Sequence, residues 1–214
     1  MSLEPPNPPF PSGAPYWYWL GGRPALDFVN TRRERWRRNV ECLRSPADLT
    51  RWLREAGLLA APQPAGRRAL AQAVELREAI DAGVRAAVAG IAPDPAALAV
   101  IDARLAAARP RAALLSGPDG IPVLGEIPLE DPLDAALAAL ALDAAMLLGR
   151  SAERARVRIC GSDTCSARFY DRSPAARRRW CSMDTCGNAA KARRHRARTA
   201  LISPSPEAKG ANAQ

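Results

Sequence analysis

Four of the five cysteines fall between residues 160 and 186 as two matched pairs, Cys160-x4-Cys165 and Cys181-x4-Cys186, separated by fifteen residues. Thiolates are soft ligands, and structural zinc is held tetrahedrally by such groups from two short loops. A two- to four-residue spacing lets one loop place two sulfurs about 3.5–4 Å apart on a metal with Zn–S near ~2.3 Å. Both loops are small and polar enough to turn sharply, and both end in Asp-Thr-Cys. One structural Zn2+ on Cys160, Cys165, Cys181 and Cys186 is therefore expected, with a pair of redox disulfides as the alternative. A catalytic zinc is not expected, because catalytic sites keep an open position and use His or carboxylate ligands. The only histidine, His195, sits in a run of Arg and reads as a solvent or phosphate contact. Cys42 reads as a buried apolar thiol. There is no Gly-x-Ser-x-Gly elbow and no phosphate-binding loop of the P-loop type. No catalytic residue is assigned, and the chain is read as not an enzyme.

The charge is as localised as the cysteines. The chain of 214 residues carries a net charge of +9, and residues 151–200 hold 13 Lys and Arg against 4 Asp and Glu, which accounts for all of it. Such asymmetry points to an anionic partner for that segment. Arg177, Arg178 and Arg179 precede the third cysteine. After the fourth, an Ala-rich stretch without Pro predicts a helix over about 187–201, with Lys191, Arg194 and Arg198 on one stripe and Arg193 and Arg196 on another. These eight cations are the candidate nucleic-acid contacts: phosphates supply affinity, and forked Arg side chains also read guanine edges. A solvated basic helix that only keeps the protein soluble is the plain alternative. Phe169, Tyr170 and Trp180 are too few for a stacking platform and are expected to pack around the metal.

The rest of the chain must position this module. Apolar residues make up 48% and charged residues 25%, as in an ordinary globular protein. No uninterrupted run of about 18 apolar residues occurs, so no membrane span is expected. The N-terminus lacks a basic start and an apolar stretch, so a cytoplasmic location is expected. Residues 1–15 are proline-rich and read as a disordered leader; 203–214 read as a disordered tail. Between them, residues 16–150 read as an α-rich domain and 151–202 as the zinc module.

Ser45-Pro46-Ala47-Asp48 starts a helix with Leu49, Trp52, Leu53 and Ala56 on one face, stopping near Gly57. Residues 66–90 read as a long helix with Leu76, Ile80, Val84 and Val88 inward. Asp94-Pro95 starts another, with Leu98, Ile101, Leu105 and Ala108 on one face, ending at Pro110. Residues 111–127 read as a small β-hairpin, with Pro122 confining one strand to an edge. Asp131-Pro132 opens a further helix with a stripe of Leu133, Leu137, Leu140, Ala144 and Leu147. The fold class expected is mostly α with one hairpin. Near the start, Asp27, Asn30 and Thr31 lie beside an aromatic cluster. They either line a small-molecule pocket walled by Trp17 and Trp19, or cap the backbone at the end of an element.

The stretch from Cys160 to Asn188, with Phe169-Tyr170-Asp171-Arg172-Ser173, Arg179-Trp180-Cys181-Ser182-Met183 and Cys186-Gly187-Asn188, resembles the CGNR zinc finger. Gly21-Gly22 followed by Leu26-Asp27-Phe28-Val29-Asn30-Thr31 is similar to the opening of the ABATE domain that precedes that finger. The resemblance covers roughly residues 17–200. It implies a bacterial, cytoplasmic, stress-related transcription regulator that binds DNA through the finger. One position departs: the family is named for Cys-Gly-Asn-Arg, and position 189 is Ala, with Arg193 or Arg194 one turn on as candidate substitutes. A homodimer and a small-molecule effector of the N-terminal domain are further expectations. RNA binding, or docking of an acidic protein, would use the same basic chemistry.

Overall fold

A computed structural model describes residues 16–107, 111–127 and 131–202. Among them the chain forms α1 (Pro24–Val29), β1 (Arg32–Arg33), β2 (Val40–Glu41), α2 (Pro46–Glu55), α3 (Arg67–Ala89), α4 (Pro95–Ala107), β3 (Arg111–Ser116), β4 (Pro122–Ile127), α5 (Pro132–Gly149), α6 (Ser151–Arg154), β5 (Val157–Ile159), β6 (Arg168–Tyr170), a π-helical turn (Met183–Gly187) and α7 (Asn188–Ile202). The protein is mostly helical, and its strands form three separate antiparallel pairs. The leader, the tail, and the expected helix stop at Ala108 and Pro110 lie outside the described residues.

Helix starts follow local chemistry. Ser45 and Asp48 form a reciprocal capping box on α2. Asp94 Oδ1 accepts the Ala96 amide at 3.0 Å at the head of α4, and Asp131 Oδ1 accepts the Leu133 amide at 2.8 Å on α5. Gly90 ends α3 with φ of 68°, a left-handed cap that favours glycine. The hairpin is β3–β4, in register from Arg111↔Ile127 to Ser116↔Pro122.

The core lies between α1, α2, α3 and α5 and takes in Phe28, Trp52, Leu76, Ile80, Leu137 and Leu140. All five residues of the expected α5 stripe are buried. Two helix faces differ from expectation. Val88, near the end of α3, is exposed, and so is Leu98 on α4, where Ala97 and Ile101 carry the burial instead. Leu98 lines a cavity of about 960 Å³ between the ends of α3, α4 and α5, together with Ile91, Ile101, Leu105 and Leu148. Ile101, Leu105 and Leu148 also pack on the core, while Leu98 and Ile91 remain exposed at the cavity. α5 is 18 residues long with a mean hydropathy of 1.6, which is long and apolar enough to cross a bilayer. Yet Asp143 within it holds Arg23 at 2.6 Å and the Ala25 amide at 2.9 Å, and its stripe packs on α1, α3 and α4. It is a core helix.

Core packing runs on past α6. Val157 is buried in the N-terminal core and Tyr170 packs against it. Asn30 binds the backbone of β6 in both directions: its side-chain N–H donates to the Arg168 carbonyl at 2.9 Å and its Oδ1 accepts the Arg168 amide at 2.8 Å. The side chain of Arg168 is buried and meets Asp81 of α3 as an ion pair at 2.7 Å. The finger is thus seated on the helical body through buried polar contacts.

Candidate metal centre and basic surface

The antiparallel pair β5–β6 aligns Val157 with Tyr170 and Ile159 with Arg168, so the loop between them must fold back within eight residues. The Cys160 amide donates to the Ala167 carbonyl at 2.9 Å, and the Cys165 amide to the Ser162 carbonyl at 3.2 Å. The Ala167 amide points at Cys165 Sγ, 3.4 Å away. This knuckle presents Cys160 and Cys165 from one side. Cys181 and Cys186 come from the other, Cys186 within the π-helical turn that runs straight into α7. Wide single turns of this kind commonly mark functional sites. A Cβ on Gly187 would sit 2.7 Å from Met183 Sδ and 2.8 Å from its Cε, so the end of the Met183 side chain packs closely over this turn.

All four sulfurs lie within 4.8 Å of one another, with Cys165–Cys181 at 3.9 Å and Cys181–Cys186 at 3.7 Å. A tetrahedral zinc with Zn–S of ~2.3 Å needs sulfurs roughly 3.8 Å apart, whereas a disulfide needs about 2.05 Å. None of the five cysteines is in a disulfide. The donor set fits one zinc ion, and four thiolates close its shell. Phe169 and Trp180 pack on the cysteines as expected, whereas Tyr170, expected with them, packs on the N-terminal core. Asp171, fully buried, accepts the Ser173 amide at 2.9 Å and the Arg178 amide at 2.7 Å, which fixes the turn between the two halves. Burial alone would raise its carboxyl, but these bonds and the nearby Arg178 hold it below its usual range. Cys42 stands apart in the helical core, where burial pushes its thiol up to about 12.

The eight candidate nucleic-acid residues divide into two kinds. Arg178, although exposed, donates to the Cys181 carbonyl at 2.8 Å and lies over the Phe169 ring. Arg193 reaches back to the knuckle, pairing with Asp163 at 2.7 Å. Arg177, Arg179, Lys191, Arg194, Arg196 and Arg198 are exposed, with Arg179 lying over Trp180. His195 is exposed on α7 beside them. Ala189, where the family motif has Arg, is on the exposed side of the first turn of α7. Of its two candidate substitutes, Arg193 is engaged within the finger and Arg194 faces solvent.

The five candidate pocket residues are not gathered around one cavity. Trp17 is buried in the core, while Trp19 stacks on Trp52 at 5.6 Å. Thr31 donates to the Phe28 carbonyl at 2.7 Å, and Asn30 is committed to Arg168 as described. Asp27 accepts the Gly21 amide at 2.7 Å, in a turn so tight that a Cβ on Gly21 would lie 2.6 Å from the Asp27 nitrogen. Burial pushes the Asp27 carboxyl from 3.8 up to about 6, against hydrogen bonds from Gly21 and Leu20 that pull it down. A carboxyl with a raised folded-state value holds its proton more tightly when folded, so its contribution to stability declines as pH rises from about 4 to 6, then levels off. The melting temperature of Asp27→Asn relative to the parent should accordingly climb from pH 4 to 6 and stay constant above. A difference independent of pH would count against this assignment.

Sequence reasoning missed the buried cations Arg77 and Arg168. Arg77 is fully buried and meets Glu41 through two contacts of 2.6 Å. Neither residue breaks a polar pattern that would have flagged it. Residues 22–151 match the ABATE family, described as "Putative stress-induced transcription regulator", and residues 156–199 match the CGNR zinc finger. No curated protein matches the chain.

Proposed function

Because the chain belongs to the ABATE family and carries a CGNR zinc finger, we propose that it is a zinc-containing transcription regulator that binds DNA through the basic face of the finger. The observation that carries this reading is the set of seven exposed cations, Arg177, Arg178, Arg179, Lys191, Arg194, Arg196 and Arg198, held on a metal-stapled support. Phosphates along a duplex recur at a spacing that a rigid helix can follow, and preorganised cations lose less side-chain entropy on binding. Zinc has the structural role here, holding α7 against the knuckle, and the reading assigns no catalysis.

The N-terminal domain is then the part that receives a signal or pairs two copies. The 960 Å³ apolar cavity between α3, α4 and α5 is of the size that takes a small-molecule effector. The β3–β4 hairpin, with Leu114, Ile121 and Leu124 largely exposed, is the surface offered to a second copy. Cytoplasmic location in a bacterium and a role in stress response follow from the family and belong to the same proposal.

Titration of random-sequence duplex DNA at several salt concentrations tests it. Neutralising about five phosphates gives a slope of log K against log salt near −4 to −5. A flat response sinks the reading, and tighter binding to structured RNA than to any duplex redirects it to RNA.

A further inference from the structure

The loop joining β1 to β2 carries a second cluster of cations, which the neutral charge balance of the N-terminal domain conceals. Residues 32–38 read Arg-Arg-Glu-Arg-Trp-Arg-Arg. The loop is tightly closed: the amides of Arg37 and Asn39 both donate to the Glu34 carbonyl, at 2.8 and 2.9 Å. Glu34 and Asn39 take φ of 48° and 52°, left-handed values that a non-glycine residue adopts only when its surroundings impose them.

Most of its cations are committed to the fold. Arg35 pairs with Glu78 at 2.7 Å, Arg38 with Glu34, and Arg32 with Glu78 at 3.4 Å, while Arg33 is buried over the Tyr18 ring. Residues 36–39 are exposed at the tip, among them Arg37 and Trp36, the latter 49% exposed. The Trp36 ring meets the buried Arg168 guanidinium, 5.7 Å from its centroid, and leaves the rest of its surface open to solvent.

The tip also stands beside the finger. The Trp36 indole N–H donates to the Asp163 carbonyl at 3.4 Å, and the Arg35 amide donates to Ser166 Oγ at 3.0 Å. Asp163 is the same residue whose carboxylate pairs with Arg193 of α7. One knuckle residue therefore joins the loop tip on one side to the basic helix on the other.

We propose that Trp36 and Arg37 are a second nucleic-acid contact, supplied by the N-terminal domain to the face that α7 begins. Arg37 neutralises a backbone phosphate, and Trp36 lays its open ring against the neighbouring sugar. The contact is sequence-independent and extends the footprint beyond the finger. This inference rests on the nucleic-acid reading above.

The test compares zinc-loaded full-length protein with Arg37→Ala, Trp36→Ala and Trp36→Phe on duplex DNA. Arg37→Ala should flatten the salt slope by about one. Trp36→Ala should weaken binding roughly 10-fold with the slope unchanged, within the range that aromatic contacts to nucleic acid give. DNA should quench the indole emission of the parent, and that quench should be smaller in Trp36→Phe, which keeps the ring packing and serves as the folding control. If the α7 cations prove essential while the Arg37 and Trp36 variants bind and respond like the parent, this proposal is overturned and the finger reading stands. If the parent binds no nucleic acid at all, the finger reading itself fails, and this one with it.

Discussion

Cys181→Ser should remove the finger's fold, not merely loosen it. The apolar cluster of the finger consists of Cys160, Cys165, Ala167, Phe169 and Cys181, so three of its five members are the ligands themselves. With so little independent core, the metal supplies the stability: structural zinc contributes roughly 10–16 kcal/mol in small fingers, comparable with the whole stability of a domain, about 5–15 kcal/mol. Cys181 lies within 4 Å of both Cys165 and Cys186 sulfurs, so its loss opens the shell from both sides. Zinc content should drop from one per chain to near zero, amide protection over the knuckle from Cys160 to Ala167 should disappear, and DNA affinity should fall at least ~100-fold. Chelation should do the same to the parent. A Cys181→Ser protein that keeps a protected knuckle without metal would contradict the assignment.

Asp81→Ala should cost about 3–5 kcal/mol, the usual penalty for stranding a buried charge. Arg168 and Asp81 have side chains 2% and 5% exposed and meet at 2.7 Å. Burial already pulls the Arg168 guanidinium down from its usual value, and Asp81 is the partner that opposes this. Arg85, 3.2 Å away, would also lose its Asp81 contact, while Arg35, 3.5 Å from Asp81, keeps its pair with Glu78 at 2.7 Å. The variant's urea midpoint should therefore fall steeply, with finger and helical body separating as one event. The double variant Asp81→Leu/Arg168→Met should recover most of the loss, because an apolar pair of similar volume removes the desolvation penalty on both sides. An unchanged midpoint in the single variant would show that the pair does not join the two parts.

The long helices were legible because their signals are local. Ser45 with Asp48, Asp94 before Pro95, and Asp131 before Pro132 are capping chemistry written in adjacent residues, and the α5 stripe repeats often enough to show its period. The four cysteines were legible for the same reason: two short loops with matched ligands specify a site without knowledge of the fold. What the sequence concealed is non-local. α1 is six residues long, and the pairs β1–β2 and β5–β6 are two and three residues per strand, too short for any period to appear. Arg77 and Arg168 look like solvent-facing charge until Glu41 and Asp81 are brought to them from distant elements. Val88 and Leu98 continue the apolar pattern of their helices, yet both are exposed, Leu98 at the open cavity. Asp27, Asn30 and Thr31 look like a polar constellation, and two of them spend their hydrogen bonds on nearby backbone while Asn30 reaches across to β6.

Binding of the zinc-loaded protein to duplex DNA at 50 and 200 mM salt, alongside the variant with Lys191, Arg193, Arg194, Arg196 and Arg198 all changed to Ala, tests the central claim most directly. The account predicts retention of DNA by the parent at the lower salt, a loss of about 10²–10³ in affinity at the higher, and no binding by the variant despite a full complement of zinc. Equal binding by parent and variant, or none by either, would contradict it.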